Sequence, residues 1–352
     1  MSETAPWYAP WLGPEILSVA VWALIASAMA AGAIVLILIP PLRRFAWVTG
    51  FLDHPEARKL HTNATPLLGG VGIALAVSAG TALGISVLSL QIPEQALWWT
   101  AGALGALVLG LWDDRFAMHA APKLVLQFVV ALLFLGGGIY PQALGIFSFP
   151  LCLLWLVGMM NAINFLDNMD GIIGGLGFIL SIGLGILLLT YGRQAEAVYA
   201  FSLSAACLAF LRFNFFPASV FLGDAGSLFI GYSLGALSLI AAYAGPGFQT
   251  SVAALLILGY PAFDLSFVII MRLREGRKIY QGGKDHSTHR LNSLVRGPRR
   301  TLMWLYLCAA ALTLTGVGLS QAQGTLQVLL WLLVWVFWLF LLGIRLARIP
   351  VK

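Results

Sequence analysis

Two adjacent carboxylates, Asp113 and Asp114, stand in the segment Trp112-Asp-Asp-Arg115, and Lys123 follows at the start of the next apolar run. Neighbouring carboxylates repel, so one is expected to be held by a cation or by Arg115 while the other titrates. A second group is denser. Asn161, Asn164, Asp167 and Asp170 recur at every third position, which on a helix sets successive members on one face, about 5–6 Å apart. Four oxygen-bearing side chains in a row at the end of an apolar helix suit a hard cation such as Mg2+. Helix capping explains one of them, not the row.

A third group runs from Asn214-Phe-Phe-Pro217 to Phe221-Leu-Gly-Asp224-Ala-Gly-Ser227. It sets Asp224 at an expected helix N-terminus, where backbone N–H groups and the helix dipole favour negative charge. A fourth, Gly282 to Leu291, gathers Lys284, His286, His289 and Arg290 among glycines. That composition reads as a phosphate clamp, or equally as a topology signal or a contact with anionic lipid. Asp53 to His61 adds Arg58, Lys59 and His61. Carboxylates and amides for a divalent cation, with separate basic groups for phosphates, are the parts of phosphoryl transfer, where positioning and charge neutralisation carry most of the catalysis.

The elements that must position these groups are membrane helices. The chain is 60% hydrophobic and 10% charged, against roughly 25% charged for soluble domains; only an apolar solvent accommodates that surface. Apolar stretches at about 16–41, 67–90, 96–112, 124–140, 144–163, 172–190, 197–211, 223–243, 250–271, 301–319 and 325–344 each approach the roughly 20 residues that a bilayer crossing needs. The expected class is therefore all-α: a polytopic membrane protein with ten or eleven transmembrane helices, forming one catalytic domain over 1–352. The first residues carry neither a basic n-region nor a small-residue cleavage site, so the first run reads as a retained helix.

Alternating the connections puts the loops at about 42–66, 113–123, 164–171, 212–222 and 272–300 on one side with the C-terminus. That side holds nineteen of the twenty Lys and Arg residues, all five histidines and ten of the fourteen acids. An excess of Lys and Arg marks the cytoplasmic side, which places the N-terminus outside and the active site at the cytoplasmic face. Cys152, Cys207 and Cys308 lie singly in apolar runs, which argues against a disulfide framework or a zinc site. A site at the boundary of lipid and cytosol implies one lipid-soluble and one water-soluble phosphorylated substrate.

In order, the segments DHPEARKLHTNATPLLGG, WDDRFAMHAAPK, NAINFLDNMDG, NFFPASVFLGDAGS, and PAFD followed by GGKDHSTHRL resemble the polyprenyl-phosphate N-acetylhexosamine-1-phosphate transferase family. The likeness covers about 42 to 300. It implies a Mg2+-dependent enzyme of bacterial inner (plasma) membranes, with Mn2+ as a substitute ion. The phosphate of undecaprenyl phosphate attacks the β-phosphorus of a UDP-N-acetylhexosamine, most simply UDP-GlcNAc. UMP leaves, and the lipid-pyrophosphate sugar begins an envelope polysaccharide such as lipopolysaccharide or a teichoic acid linkage unit.

By resemblance, Asp224 and Asn164 are Mg2+ ligands, Lys123 meets the pyrophosphate, and Asp113 and Asp114 activate the lipid phosphate. Asp167, Asp170, Asn214 and Phe221 handle the nucleotide and nearby polar contacts. Arg58, Lys59 and His61 match the GlcNAc-type branch, and His286, His289 and Arg290 meet the sugar and diphosphate. Membrane lipids and a second copy of the chain are the remaining expected partners.

The phospho-MurNAc-pentapeptide translocase branch carries three consecutive histidines in the last loop. Here Ser287 and Thr288 separate His286 from His289, which disfavours that substrate. A secondary transporter is the alternative of another class, with Asp264 in the ninth apolar run as its candidate for a deep charge.

Overall fold

The computed structural model describes residues 14–53, 64–245, 247–280, 283 and 285–350. Among them the chain forms α1 (Pro14–Thr49), β1 (Leu52–Asp53), β2 (Thr65–Pro66), α2 (Gly69–Val87), α3 (Ala96–Phe116), α4 (Ala120–Leu135), α5 (Ser148–Leu166), α6 (Ile172–Thr190), α7 (Gln194–Asn214), α8 (Gly223–Ala244), α9 (Phe248–Ile257), α10 (Gly259–Arg274), α11 (Ser287–Val295), α12 (Pro298–Ser320) and α13 (Thr325–Ala347). The two short strands pair antiparallel, Leu52 opposite Pro66. Arg58, Lys59 and His61 lie outside the described residues.

The all-α, multi-pass class expected from hydropathy is the one adopted. Among the described residues nine helices are long and apolar enough to cross a membrane. Two of the eleven expected crossings differ from simple spans. The run 124–140 becomes α4, an apolar helix of 16 residues. The run 250–271 breaks into α9 and α10, bent by 67°. Pro261 sits in the first turn of α10 and has no N–H to offer the carbonyl of Ile257, so the ladder is interrupted where the chain bends.

α8 is the hub. It is buried along nearly its whole length and packs against α2, α3, α5, α6 and α9. α13 lies at the opposite extreme, presenting Leu330, Trp331, Leu333, Val334, Phe337 and Phe340 outward, an apolar surface suited to lipid chains. Without a hydrophobic drive between helices, close backbone approach through small residues holds such a bundle together. A Cβ at Gly70 would stand 2.2 Å from the Gly226 nitrogen, joining α2 to α8. One at Gly110 would stand 2.3 Å from the Asp224 carbonyl oxygen and 2.4 Å from Ala225, joining α3 to α8. The second contact lies about one turn from Asp113 and Asp114.

Gly110→Ala therefore has no room. Overpacking of this kind costs about 1–3 kcal/mol, read as a lower Tm of the purified protein and loss of whatever activity needs α3 against α8. Gly318→Ala on α12, where a Cβ meets nothing within 4 Å, leaves both unchanged.

Candidate active site

The C-terminal ends of α3, α5 and α7 and the N-terminal ends of α4 and α8 meet at one end of the bundle. Lys123, in the first turn of α4, lies 2.6 Å from Asp113 and 3.1 Å from Asp224 through its Nζ. A third, longer bond of 3.4 Å runs to Asn164 Oδ1. All three ammonium protons are thus engaged. Asn164 turns its amide nitrogen to Asp224 at 2.5 Å and to the Ser227 hydroxyl at 2.9 Å. Residues spread from position 113 to position 227 form one charged cluster.

The two adjacent aspartates part company, as successive residues about 100° apart on a helix must. Asp113 accepts from Lys123 and, at 2.7 Å, from the Met118 N–H. Asp114 accepts the N–H groups of Asp224 at 2.7 Å and Ala225 at 3.0 Å. The helix N-terminus at α8 is thus capped from another helix by Asp114, while Asp224, in the first turn of α8, turns its carboxylate to Lys123 and Asn164. Gly223 makes this possible: its φ is +75°, and a Cβ there would press to 2.7 Å on Asp114 Oδ2. Arg115 turns away, stacking over Phe51.

The three-residue row does not stay on one helix. α5 ends at Leu166 and Gly171 adopts φ +86°, so Asn161 and Asn164 are helical and Asp167 and Asp170 belong to the loop. Asn161 pairs with Gln127 of α4, one turn beyond Lys123. Asp170 accepts the Ala218 N–H at 2.8 Å. Asn214 is buried; it accepts from the Gly171 N–H and donates to the Val220 carbonyl. Its amide oxygen and nitrogen each bond to backbone, and it joins two loops. Phe221 is half-buried, its N–H bound to the Pro66 carbonyl and its carbonyl to the Gly69 N–H. Asp167 is closely surrounded by protein: burial, with the neighbouring charges of Asp224, Asp114 and Asp170, pushes its carboxyl up to about 8.

Three arginines of the last loop are engaged within the protein. Arg272 is buried and pairs with Asp285 at 2.9 Å, and Arg277 pairs with the same carboxylate at 2.6 Å. Burial alone would raise the Asp285 carboxyl, but the two guanidinium groups hold it below the usual carboxylate range. Arg290 is buried and donates to the carbonyls of Leu346, Ala347 and Ile349, capping the end of α13, where orphan carbonyls favour a cation. This engagement separates Arg290 from the clamp expected of the sequence. His286 and His289 remain as paired rings 6.2 Å apart, and His286 also stands edge-on to Phe165, the neighbour of Asn164. Asp264, the expected deep charge of a transporter, is buried against His286 and Ser287.

Sequence reading gives no role to Gln127 or Tyr306, and names Ser227 and Thr288 without assigning them contacts. Thr288 donates to Asn168, and Tyr306 to the Gly171 carbonyl. Gln127 alone had a signal, its spacing of one turn from Lys123.

Among the described residues no three His, Cys, Asp or Glu side chains converge as a closed metal site requires. Mg2+ makes no such demand, since it keeps waters and takes one or two carboxylates plus substrate phosphates. Lys123 is shared by Asp113 and Asp224, the charge of Asp224 is also felt by Asp114 and Asp167, and the Asp224 side chain is 34% exposed where Asp113 is 7%. The donor set fits a hard cation at Asp224.

Residues 96–242 match the family model described as Glycosyl transferase family 4. The chain is 32% identical to a probable undecaprenyl-phosphate N-acetylglucosaminyl 1-phosphate transferase of Bacillus subtilis, over 82% of each chain. It is 31% identical to a decaprenyl-phosphate N-acetylglucosaminephosphotransferase of Mycobacterium tuberculosis, over 76% of this chain and 75% of that protein. An undecaprenyl-phosphate alpha-N-acetylglucosaminyl 1-phosphate transferase of Escherichia coli is 28% identical over 78% of each.

Asp114 holds α8 in place, and its replacement acts through that contact. Asp114→Asn keeps one acceptor oxygen and loses the other, at a cost of about 0.5–2 kcal/mol. Tm falls, and any catalytic loss is uniform from pH 6 to 9. Recovery of rate at high pH would instead identify Asp114 as a base.

Proposed function

The chain belongs to the polyprenyl-phosphate N-acetylhexosamine-1-phosphate transferases, and on that premise we propose that it transfers GlcNAc-1-phosphate from UDP-GlcNAc to undecaprenyl phosphate. An oxygen of the lipid phosphate attacks the β-phosphorus of the sugar nucleotide. The bond from that phosphorus to the bridging oxygen breaks, UMP leaves with the bridging oxygen, and the lipid gains a pyrophosphate-linked sugar. The observation that carries this reading is the Lys123 ammonium between Asp113 and Asp224, with Asn164 beside it.

Each residue then has work suited to its contacts. The Lys123 bond to Asn164 is the longest of its three, and a diphosphate oxygen replaces it at least cost. Asp113 keeps the ammonium aimed at the reacting phosphates. Polyprenyl phosphate is mostly dianionic at pH 7, by analogy with phosphorylated side chains whose second pKa is near 6, so positioning and charge placement outweigh proton removal. Asp224 and Asn164 would hold Mg2+, which when bound neutralises charge on the phosphates; Mn2+ would serve in its place. Asp167 and Asp170 order the loop beside the nucleotide, Asn214 ties that loop to the Phe221 segment, and the Phe221 ring offers a face for uracil. His286 and His289 face the sugar diphosphate. Arg290 supports them by fixing the loop to α13.

The basic loops share the side of this cluster, so the site opens to the cytoplasm of a bacterial plasma membrane, where UDP-sugars are made, and the N-terminus lies outside. The apolar helices beside the site supply the route by which a polyprenyl chain reaches it within the bilayer.

Purified protein with undecaprenyl phosphate, Mg2+ and UDP-GlcNAc is expected to release UMP, and to prefer UDP-GlcNAc to UDP-MurNAc-pentapeptide. Asp224→Asn is expected to lower turnover by about 100-fold or more while still folding and inserting. Absence of UMP release in the native protein overturns the activity, and near-normal turnover in Asp224→Asn overturns the role of Asp224.

A further inference from the structure

We propose that Asp264 is a positioning residue for this reaction: it fixes the tautomer and orientation of His286, which faces the substrate. The proposal rests on the transferase reading above and assigns a function to a buried acid which that reading leaves unused. Asp264 lies one turn into α10 and is fully buried. A carboxylate at such a place in a membrane helix is costly unless its oxygens are matched, and here they are. Oδ2 stands 3.0 Å from His286 Nδ1. Oδ1 accepts the Ser287 N–H at 2.9 Å and the Ser287 hydroxyl at 2.5 Å. The Ser287 oxygen in turn pairs with the Tyr260 hydroxyl at 2.8 Å, one turn before Asp264 on the same helix.

The direction of these bonds fixes the imidazole. Because the Ser287 proton goes to Asp264, the Tyr260 hydroxyl is the donor to Ser287. Asp264 acts only as an acceptor in this arrangement, so His286 Nδ1 must carry the proton it shares with Oδ2. In the neutral ring Nε2 is then the bare nitrogen. The ring edge bearing Nε2 is the part of His286 left for a ligand. The ring is edge-on to Phe165, so it packs at the end of α5 that also carries Asn164. Ser287 and Thr288 bind their partners on α10 and on the Asn168 loop, which anchors the first turn of α11 between the half-helix and the site. The break between α9 and α10 separates this anchored half from the rest of the crossing.

Asp264→Asn is the discriminating change. An asparagine amide can donate to Nδ1, which would move the ring proton to Nε2 with little change in shape. A misdirected tautomer is far more damaging to catalysis than to folding, and by analogy with the partners of metal-ligating histidines, whose loss costs about 10–100-fold, loss of Asp264 is expected to lower turnover by a similar factor. The experiment combines turnover, measured as UMP release, with 15N NMR of histidine-labelled protein in which the His286 signal is assigned by its loss in His286→Gln. The native protein is expected to show His286 protonated on Nδ1, and Asp264→Asn to shift that proton to Nε2. The variant should lose at least about tenfold in kcat with Tm nearly unchanged. In a His286→Ala background Asp264→Asn should add no further loss, because its effect passes through the ring.

An Nε2–H tautomer in the native protein overturns the proposal, and so does full additivity of the two substitutions, which is the mark of general damage to the fold. Should Asp264→Asn fail to insert, the NMR of the unmodified protein decides alone. A native protein that releases no UMP defeats the transferase reading instead, and the tautomer measurement still judges Asp264.

Discussion

The ammonium of Lys123 sits between two carboxylates that come from different helices, Asp113 on α3 and Asp224 on α8. Removing three charges from water is costly, and their mutual attraction compensates only when the geometry is good and further hydrogen bonds satisfy the remaining lone pairs. Here the Met118 N–H serves Asp113, and the Asn164 amide serves Asp224. The arrangement makes the position of α4 dependent on α3 and α8 together, and that of α5 dependent on α8. A change in any one helix end is felt by the others.

Two features keep that cluster assembled without help from a ligand. Gly110 lets α3 approach α8 until backbones touch, and Asp114 then takes the first N–H groups of α8. A capping bond between helices does two jobs: it satisfies donors that would otherwise be orphaned, and it sets the rotation of α3 that turns Asp113 to Lys123. The result is a preorganised site with excess negative charge, a condition under which a bound cation and phosphates have large electrostatic effects. The outer loops are held with the same economy. Arg290 caps α13, Tyr306 fixes Gly171, and Asn214 joins the loop of Asp167 and Asp170 to that of Phe221.

How much of this the sequence discloses depends on the range of the interaction. Hydropathy is a local property, so the class and the approximate places of the crossings were legible, and so were Asp113, Asp114, Lys123, Asn164 and Asp224 as groups with chemistry. The row from Asn161 to Asp170 misleads because spacing alone does not reveal that the helix stops at Leu166. The short α4 and the bend between α9 and α10 escaped for a similar reason: an apolar run does not show whether the backbone ladder persists through it. Arg290 looked like a ligand contact because its partners, the carbonyls near Leu346, lie more than fifty residues away. Asp264 was visible as a charge in an apolar run, but its partner His286 follows 22 residues later, and no periodicity links them.

The central claim is that Asp224 and its neighbours form a site where a divalent cation meets the substrate phosphates. Asp224→Cys tests it most directly, because a thiolate favours softer ions over Mg2+. The account predicts that this variant releases little UMP from UDP-GlcNAc with Mg2+ and recovers turnover when Cd2+ or Mn2+ replaces it, while the native protein keeps its preference for Mg2+. Equal activity of the variant with every ion, or native turnover that survives complete chelation, would contradict it.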